Sequence, residues 1–175
     1  MTDNLTPRII FAQNLSRFRH SNNLSQEALV TQLNLLGSPL SREMYKYIET
    51  GHGNIKVYDL IALKQVYDIP YEKFFHGISP SSLPKSSITM LLTNPPFCTN
   101  LRKLRKENRF TQQALVNKMN QMGCWISQSA YAMIENGQRH LKTTDLVCLK
   151  HLYGVDYGDF FCQAGYEDCL SHEAD

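Results

Sequence analysis

The sequence predicts an all-α fold built from two tandem five-helix domains. Three observations carry this. Sliding the chain against itself by 86 residues lays 11–77 on 97–163 without a gap, with 25 identities in 67 pairs. Apolar residues recur at helical spacing through both copies, and no stretch of useful length alternates with strand period. Ungapped identity at this level means one fold present twice. The period is too long and the copies too few for a solenoid. Each copy has about the minimum length for a self-contained small core.

The first domain is placed at 5–77. Thr6 is an N-cap followed by Pro7 at the first helical position, and Ile10, Phe11, Leu15 and Phe18 give the helix its apolar face. Asn22-Asn23 ends it. Ser25 caps a second helix with Ala28, Leu29 and Leu33 inward, and Gly37-Ser38-Pro39 breaks it. Ser41 caps a third helix running to about Thr50, which Gly51 stops. A fourth spans about 57–67, and a short fifth covers 71–75. The second domain, 94–163, repeats the plan. Asn94-Pro95 opens it, Thr111 and Ser127 cap its second and third helices, Gly123 and Gly137 interrupt, and its fourth helix covers 143–153.

Residues 78–93 are rich in proline and serine and read as a flexible linker. Counted on to Pro96, a free chain of 19 residues spans roughly 24 Å. Its apolar stretch, Ile88 to Leu92, reads as a short helix or strand packed on a neighbouring domain, with a dimer contact as the alternative. The tail, 164–175, is polar and acidic and is expected to fray.

Composition narrows the function classes. Hydrophobic residues make up 42% and charged residues 19%, so disorder is not the default state. No apolar run is long enough for a membrane span. The opening MTDNLTPRII has no basic region leading into an apolar stretch, so no secretory leader is expected. Cysteines at 98, 124, 148, 162 and 169 are odd in number and contain no C-x-x-C, which suggests reduced thiols in a cytoplasmic protein. Net charge is only +2. Its distribution matters more. Residues 11–77 hold seven Lys/Arg against six Asp/Glu, residues 97–163 nine against five, and the chain after 163 four acids and no base. Arg102, Lys103, Arg105, Lys106 and Arg109 concentrate positive charge on the second copy and rank it the stronger candidate for a polyanion. A solvated face is the plainer reading of that run.

The informative motif is a capped helix, a turn, and a second helix closing on Glu-x-Gly. It runs Ser25-Gln-Glu-Ala-Leu to Ile48-Glu49-Thr50-Gly51, and again Thr111-Gln-Gln-Ala-Leu to Ile134-Glu135-Asn136-Gly137. With the aromatic pairs Phe74-Phe75 and Phe160-Phe161, this resembles the lambda-repressor-like (Xre-type) helix-turn-helix family of bacterial and phage regulators. The resemblance covers both copies. One departure is the longer turn, residues 34–40 and 120–126, which leaves the tilt of the third helix open.

The resemblance implies that each third helix enters the major groove of double-stranded DNA, where a helix fits and its first residues meet base edges. Base-facing positions then fall on Arg42, Glu43, Lys46 and Tyr47 in the first copy, and on Gln128, Ser129, Ala132 and Met133 in the second. Arg42 suits guanine, Glu43 the cytosine amine, Gln128 adenine, and Ala132 or Met133 a thymine methyl. Backbone anchors fall on Gln26 and Gln112 at helix N-termini. Further anchors are His52, Asn54 and Lys56, then Gln138, Arg139, His140 and Lys142. Differing third helices imply an operator with unlike halves.

Plainer roles compete at several positions. Glu49 and Glu135 read as structural, closing the third helix on its neighbours. Cys148-x-x-His151 looks like half a metal site, but no second ligand pair stands at zinc spacing, so no metal or cofactor is expected. Trp125 either caps the core or brushes the DNA backbone. No nucleophile–base pair, phosphate loop or carboxylate dyad appears, so an enzyme is not expected. A sequence-specific transcriptional regulator is the leading expectation. A protein-interaction or sensory scaffold, with one or both modules no longer binding DNA, is the alternative. Homodimerisation stays open.

Overall fold

The computed structural model describes residues 5–81 and 83–165, and this part of the chain is largely α-helical. In the first half, α1 (Pro7–Ser21), α2 (Gln26–Leu35), α3 (Arg42–Glu49) and α4 (Val57–Tyr67) precede a 3-10 turn at Tyr71–Lys73. In the second half, α5 (Pro95–Glu107), α6 (Gln112–Gln121), α7 (Gln128–Glu135), α8 (Thr143–Tyr153) and α9 (Tyr157–Phe161) follow the same order. The expected fifth helix of the first copy is therefore only a 3-10 turn, with Pro70 just ahead of it. The expected acidic tail lies outside the described residues from 166 onward.

The helix starts follow from capping. Thr6, Ser25, Ser41, Asn94, Thr111 and Ser127 each accept the backbone N–H three residues on, satisfying a donor that the helix leaves orphaned. Gly51 ends α3 with φ +77°, and a Cβ there would lie 2.9 Å from Ile9 Cδ1. Only glycine meets both demands. The long turns are braced alike in the two halves: Asn34 and Asn120 donate through Nδ2 to the carbonyls of Leu40 and Ile126, both at 3.0 Å.

Within the segment expected to be a flexible linker, residues 79–81 and 83–87 stay at the surface, whereas the apolar stretch expected to pack on a neighbouring domain is a buried strand. Three short strands, β1 (Ile55–Lys56), β2 (Met90–Leu92) and β3 (Leu141–Lys142), form one sheet in the order β1-β2-β3. The fold is thus not purely helical. β2 comes from the connecting segment, parallel to β1 and antiparallel to β3. Ile88 and Leu91 are fully buried. The facing sides of the two halves supply their apolar surroundings, so burial draws this stretch inward. Its polar backbone is served on the way. Arg8 donates to the carbonyls of His52 and Ile88 (2.8 and 2.9 Å), Asn54 Oδ1 accepts from Met90 N–H at 3.0 Å, and Thr143 N–H donates to Thr89 O at 3.1 Å.

A pseudo-two-fold axis relates the halves. Leu91 pairs with Ile55 on one side and with Leu141 on the other, and these two are equivalent positions of the repeat. Equivalent strands that run antiparallel about a shared central strand require an axis normal to the sheet, passing near Leu91. The aromatic contacts obey it. Tyr71 stacks on Phe161 with centroids 4.5 Å apart, and Phe75 meets Tyr157 at 4.6 Å. Tyr71 is equivalent to Tyr157, and Phe75 to Phe161. Such reciprocal pairing is the signature of an isologous interface. Here it lies within one chain, and the buried apolar residues of both halves form one continuous core.

Candidate nucleic-acid interface

Each half holds its third helix in the same internal frame. Glu49, at the end of α3, receives Arg19 Nε at 2.8 Å and Gln26 Nε2 at 2.6 Å, while Arg19 also donates to Leu24 O at 2.8 Å. Glu135, at the end of α7, receives Arg105 Nε at 2.7 Å and Gln112 Nε2 at 2.9 Å, with Arg105 donating to Phe110 O at 2.9 Å. Tyr45 and Tyr131, buried mid-helix, meet the hydroxyls of Tyr67 and Tyr153. Burial pushes both carboxyls upward. The hydrogen bonds from arginine and glutamine, with the arginine charge, outweigh it and hold Glu49 and Glu135 below their ordinary value. Each pair ties the C-terminal end of the third helix to the first and second helices of its half. The two glutamates have the structural geometry expected of them.

With one face locked inward, α3 and α7 present the other to solvent. Arg42, Glu43, Lys46, Tyr47, Gln128, Ser129 and Met133 are exposed, and Ala132 is half-buried. The eight residues expected to meet bases thus lie on accessible surface, four on each helix. The pseudo-axis relates the two sets and leaves them at equal height along itself. Gln128 Nε2 lies 3.4 Å from Gln112 Oε1, which links the starts of α6 and α7.

The expected backbone anchors divide. His52, Gln138 and His140 are exposed, and Arg139 is half-buried. Gln26 and Gln112 each give one amide hydrogen to a glutamate and keep a second. Ahead of Ala28 and Ala114, whose amides the caps Ser25 and Thr111 take, the first backbone amides of α2 and α6 have no intrahelical acceptor. Three expected anchors have inward or structural contacts. Asn54 gives its oxygen to both Arg8 and Met90. Lys142 donates to Cys124 O at 3.1 Å and lies 3.2 Å from Asp145 Oδ1, with its side chain 15% exposed. His140 Nδ1 accepts from Thr93 N–H at 3.3 Å, as its equivalent Asn54 does from Met90. These side chains brace β2 and its flanks, so Asn54 and Lys142 do not stand ready as anchors. Lys56 is exposed, with its ammonium 5.2 Å from the Tyr58 ring centre.

The basic run of the second copy is also divided. Arg105 is the buried partner of Glu135, and Arg102 donates to Asn136 Oδ1 at 2.6 Å, closing the end of α7. Lys103 and Lys106 are exposed, and Lys103 pairs with Glu107 at 3.9 Å. Part of the charge surplus is therefore intramolecular. Trp125 is 75% exposed at φ +46° in the turn before α7, so it does not cap the core. Cys148 is buried and its thiol faces Met122 Sδ at 3.5 Å, whereas His151 is exposed. The two do not form a half-site. Among the described residues, no three His, Cys, Asp or Glu cluster as metal ligands, and no helix is long and apolar enough to cross a membrane.

Arg8 escaped the sequence reading. It binds β2 and the loop after α3 together, yet its equivalent in the repeat is Asn94, so the repeat gave no signal for it. Compared with known proteins, the chain matches no family model, no curated protein and no solved structure.

Proposed function

We propose that the chain is a sequence-specific DNA-binding transcriptional regulator. In this reading, two tandem domains of lambda-repressor-like type act as a fused pseudo-dimer. The observation that carries it is the pair α3 and α7: short, N-capped, locked on one face, exposed on the other, and related by a two-fold axis. Duplex DNA has a matching two-fold at the centre of paired half-sites, and dimeric helix-turn-helix proteins exploit it. One chain supplies both helices here, without a second copy.

Arg42 and Gln128 are the readers, each exposed at the first helical position, with Gln128 positioned by its contact with Gln112. His52, Gln138, Arg139 and the first-turn amides of α2 and α6 hold phosphates. Because the halves share a core, the half-sites have fixed spacing, in contrast to a tethered pair.

The test is selection of bound sequences from random duplex DNA with the full chain. Two unlike half-sites at one spacing are expected. Inserting about 5 bp, half a helical turn, between them should abolish binding. No enrichment at low salt overturns the reading. Binding that tolerates the insertion overturns the fused-dimer geometry. Gln128→Ala should change base preference, whereas Arg139→Ala should weaken every sequence alike.

A further inference from the structure

The pseudo-axis offers two equivalent hollows for comparison. Each lies between the first turn of the exposed third helix and the sheet, with a buried aspartate in its lining. The hollow in the first half, bounded by Met44, Ile48 and Asp59, holds about 130 Å³. Its counterpart, bounded by Trp125, Ala130, Ile134 and Asp145, holds about 460 Å³. Only the second falls in the ~300–1,000 Å³ range of small-molecule sites.

Two exchanges between the halves explain the difference. Ala130 replaces Met44 and withdraws a long side chain from the wall. Arg139 replaces Gly53. The Gly53 backbone sits so close to Ile48 that a Cβ there would lie 2.8 Å from Ile48 Cγ1. Arg139 carries a Cβ, so its loop must stand farther from Ile134. The connecting segment adds Leu83, Pro84 and Lys85 as a third wall.

The lining is chemically divided. Trp125, Ile126, Ala130 and Ile134 make an apolar body. Lys85, Arg139 and Lys142 outnumber Asp145, the lone carboxylate of the lining, so the cavity is cationic. Arg139 makes no side-chain hydrogen bond to a described residue. Asp145 is 1% exposed and its Oδ1 lies 3.2 Å from Lys142 Nζ, so that pair is closed and the positive charge left to the cavity is that of Arg139 and Lys85.

We infer that this cavity binds a small aryl carboxylate, with its ring on the apolar wall and its carboxylate on Arg139 and Lys85. The first half, with Met44 and Gly53, has no room for one. Since Ser127 and Ala130 belong to the start of α7, an occupant would also bear on DNA contact. That consequence rests on the regulator reading; the binding itself does not.

The experiment contains no DNA. Trp125 is the chain's single tryptophan and lines the cavity, so its emission reports occupancy. The full-length chain is titrated with 4-hydroxyphenylacetate, with its neutral amide, and with inorganic phosphate. A saturable change with the acid is expected, at least about tenfold weaker with the amide because the charge-assisted contact is lost. Ala130→Met should abolish the response while melting like the parent, since methionine fills the equivalent place in the first half. Arg139→Gln should weaken the acid and leave the amide unchanged, which keeps the test decisive if Ala130→Met does not fold. No saturable change with the acid overturns the proposal. So does equal binding of acid and amide, an equal response to phosphate, or unaltered binding in either variant that folds.

Discussion

The two halves share a skeleton and differ in what that skeleton displays. Arg19, Gln26, Asn34, Tyr45, Glu49, Asp59 and Tyr67 recur as Arg105, Gln112, Asn120, Tyr131, Glu135, Asp145 and Tyr153. Nearly all of these contact other parts of their own half through side-chain hydrogen bonds. The exposed faces of α3 and α7 share none of the eight candidate base-reading residues. Identity between the copies thus marks what holds the third helix in place, and divergence marks what it offers. A degenerate copy losing all function would be expected to loosen its internal frame as well, and the first half has not.

The strongest way to break the comparison is to remove the shared frame from one half at a time. Glu135→Ala leaves Arg105 buried without its partner and should cost about 3–5 kcal/mol. Glu49→Ala should cost less, because Glu49 is 6% exposed against 1% and lacks the second arginine that Arg102 provides. Chemical denaturation measures both, and an equal or reversed order would show that the deeper burial of Glu135 and the added Arg102 do not strengthen the second frame. Acid adds a second view. Both glutamates titrate below 4.5 in the folded state, so they contribute stability present above that value and lost as the pH falls through the lower folded values. Asp145 runs the other way. Burial raises it from 3.8 to about 6 against the pull of the Lys142 charge. Its contribution is full below about pH 4 and lost as the pH rises through 6. Asp145→Asn should flatten stability in that window and leave the acid limb intact.

Next in size is the link between the halves. Leu91 is fully buried on the pseudo-axis, and Leu91→Ala should cost about 2–5 kcal/mol. One cooperative transition is expected for the parent, because a single core runs through both halves. Two separate transitions in the parent would break the shared-core description. At the surface the effects are smaller. Arg42→Ala and Gln128→Ala should each relax preference at one half-site by about 1–3 kcal/mol and leave the other half-site unchanged. Sequencing of selected sites checks this. A change at both half-sites from one substitution would deny that each helix reads alone.

Much of the fold was legible because its signals are local. The caps at Thr6, Ser25, Ser41, Asn94, Thr111 and Ser127 and the glycine stops fix helix ends within a few residues, and the repeat doubled every such signal. The fate of 78–93 was legible only in part: the apolar stretch Ile88 to Leu92 marked a short packed element, but not that it would be the central strand between the two halves. Proline and serine argue for free chain, and a three-residue strand has no period to detect. Only a long-range fact, the apolar gap between two halves, makes it a strand. The candidate reading faces were legible through spacing, but the phosphate anchors were legible only in part. Asn54 and Lys142 look like surface polar residues in sequence. Their contacts with β2 and Asp145 depend on neighbours far along the chain.

The finest test asks whether the pseudo-symmetry is energetic as well as geometric. The contacts Tyr71–Phe161 and Phe75–Tyr157 are exchanged by the axis, and their ring separations differ by only a tenth of an ångström. Double-mutant cycles with leucine at each position should give coupling energies of about 0.5–1.5 kcal/mol for both pairs, equal within error. The crossed pair, Tyr71 with Tyr157, should couple more weakly. One asymmetry is built in. Lys150 reaches Glu72 at 3.7 Å across the interface, and the equivalent positions, Lys64 and Gly158, cannot form that pair. It is partly exposed and worth well under about 1 kcal/mol, too little to separate the two cycles. A coupling confined to one aromatic pair would mean that the halves are joined at one edge of the interface, and that the axis describes their backbones without governing how they hold together.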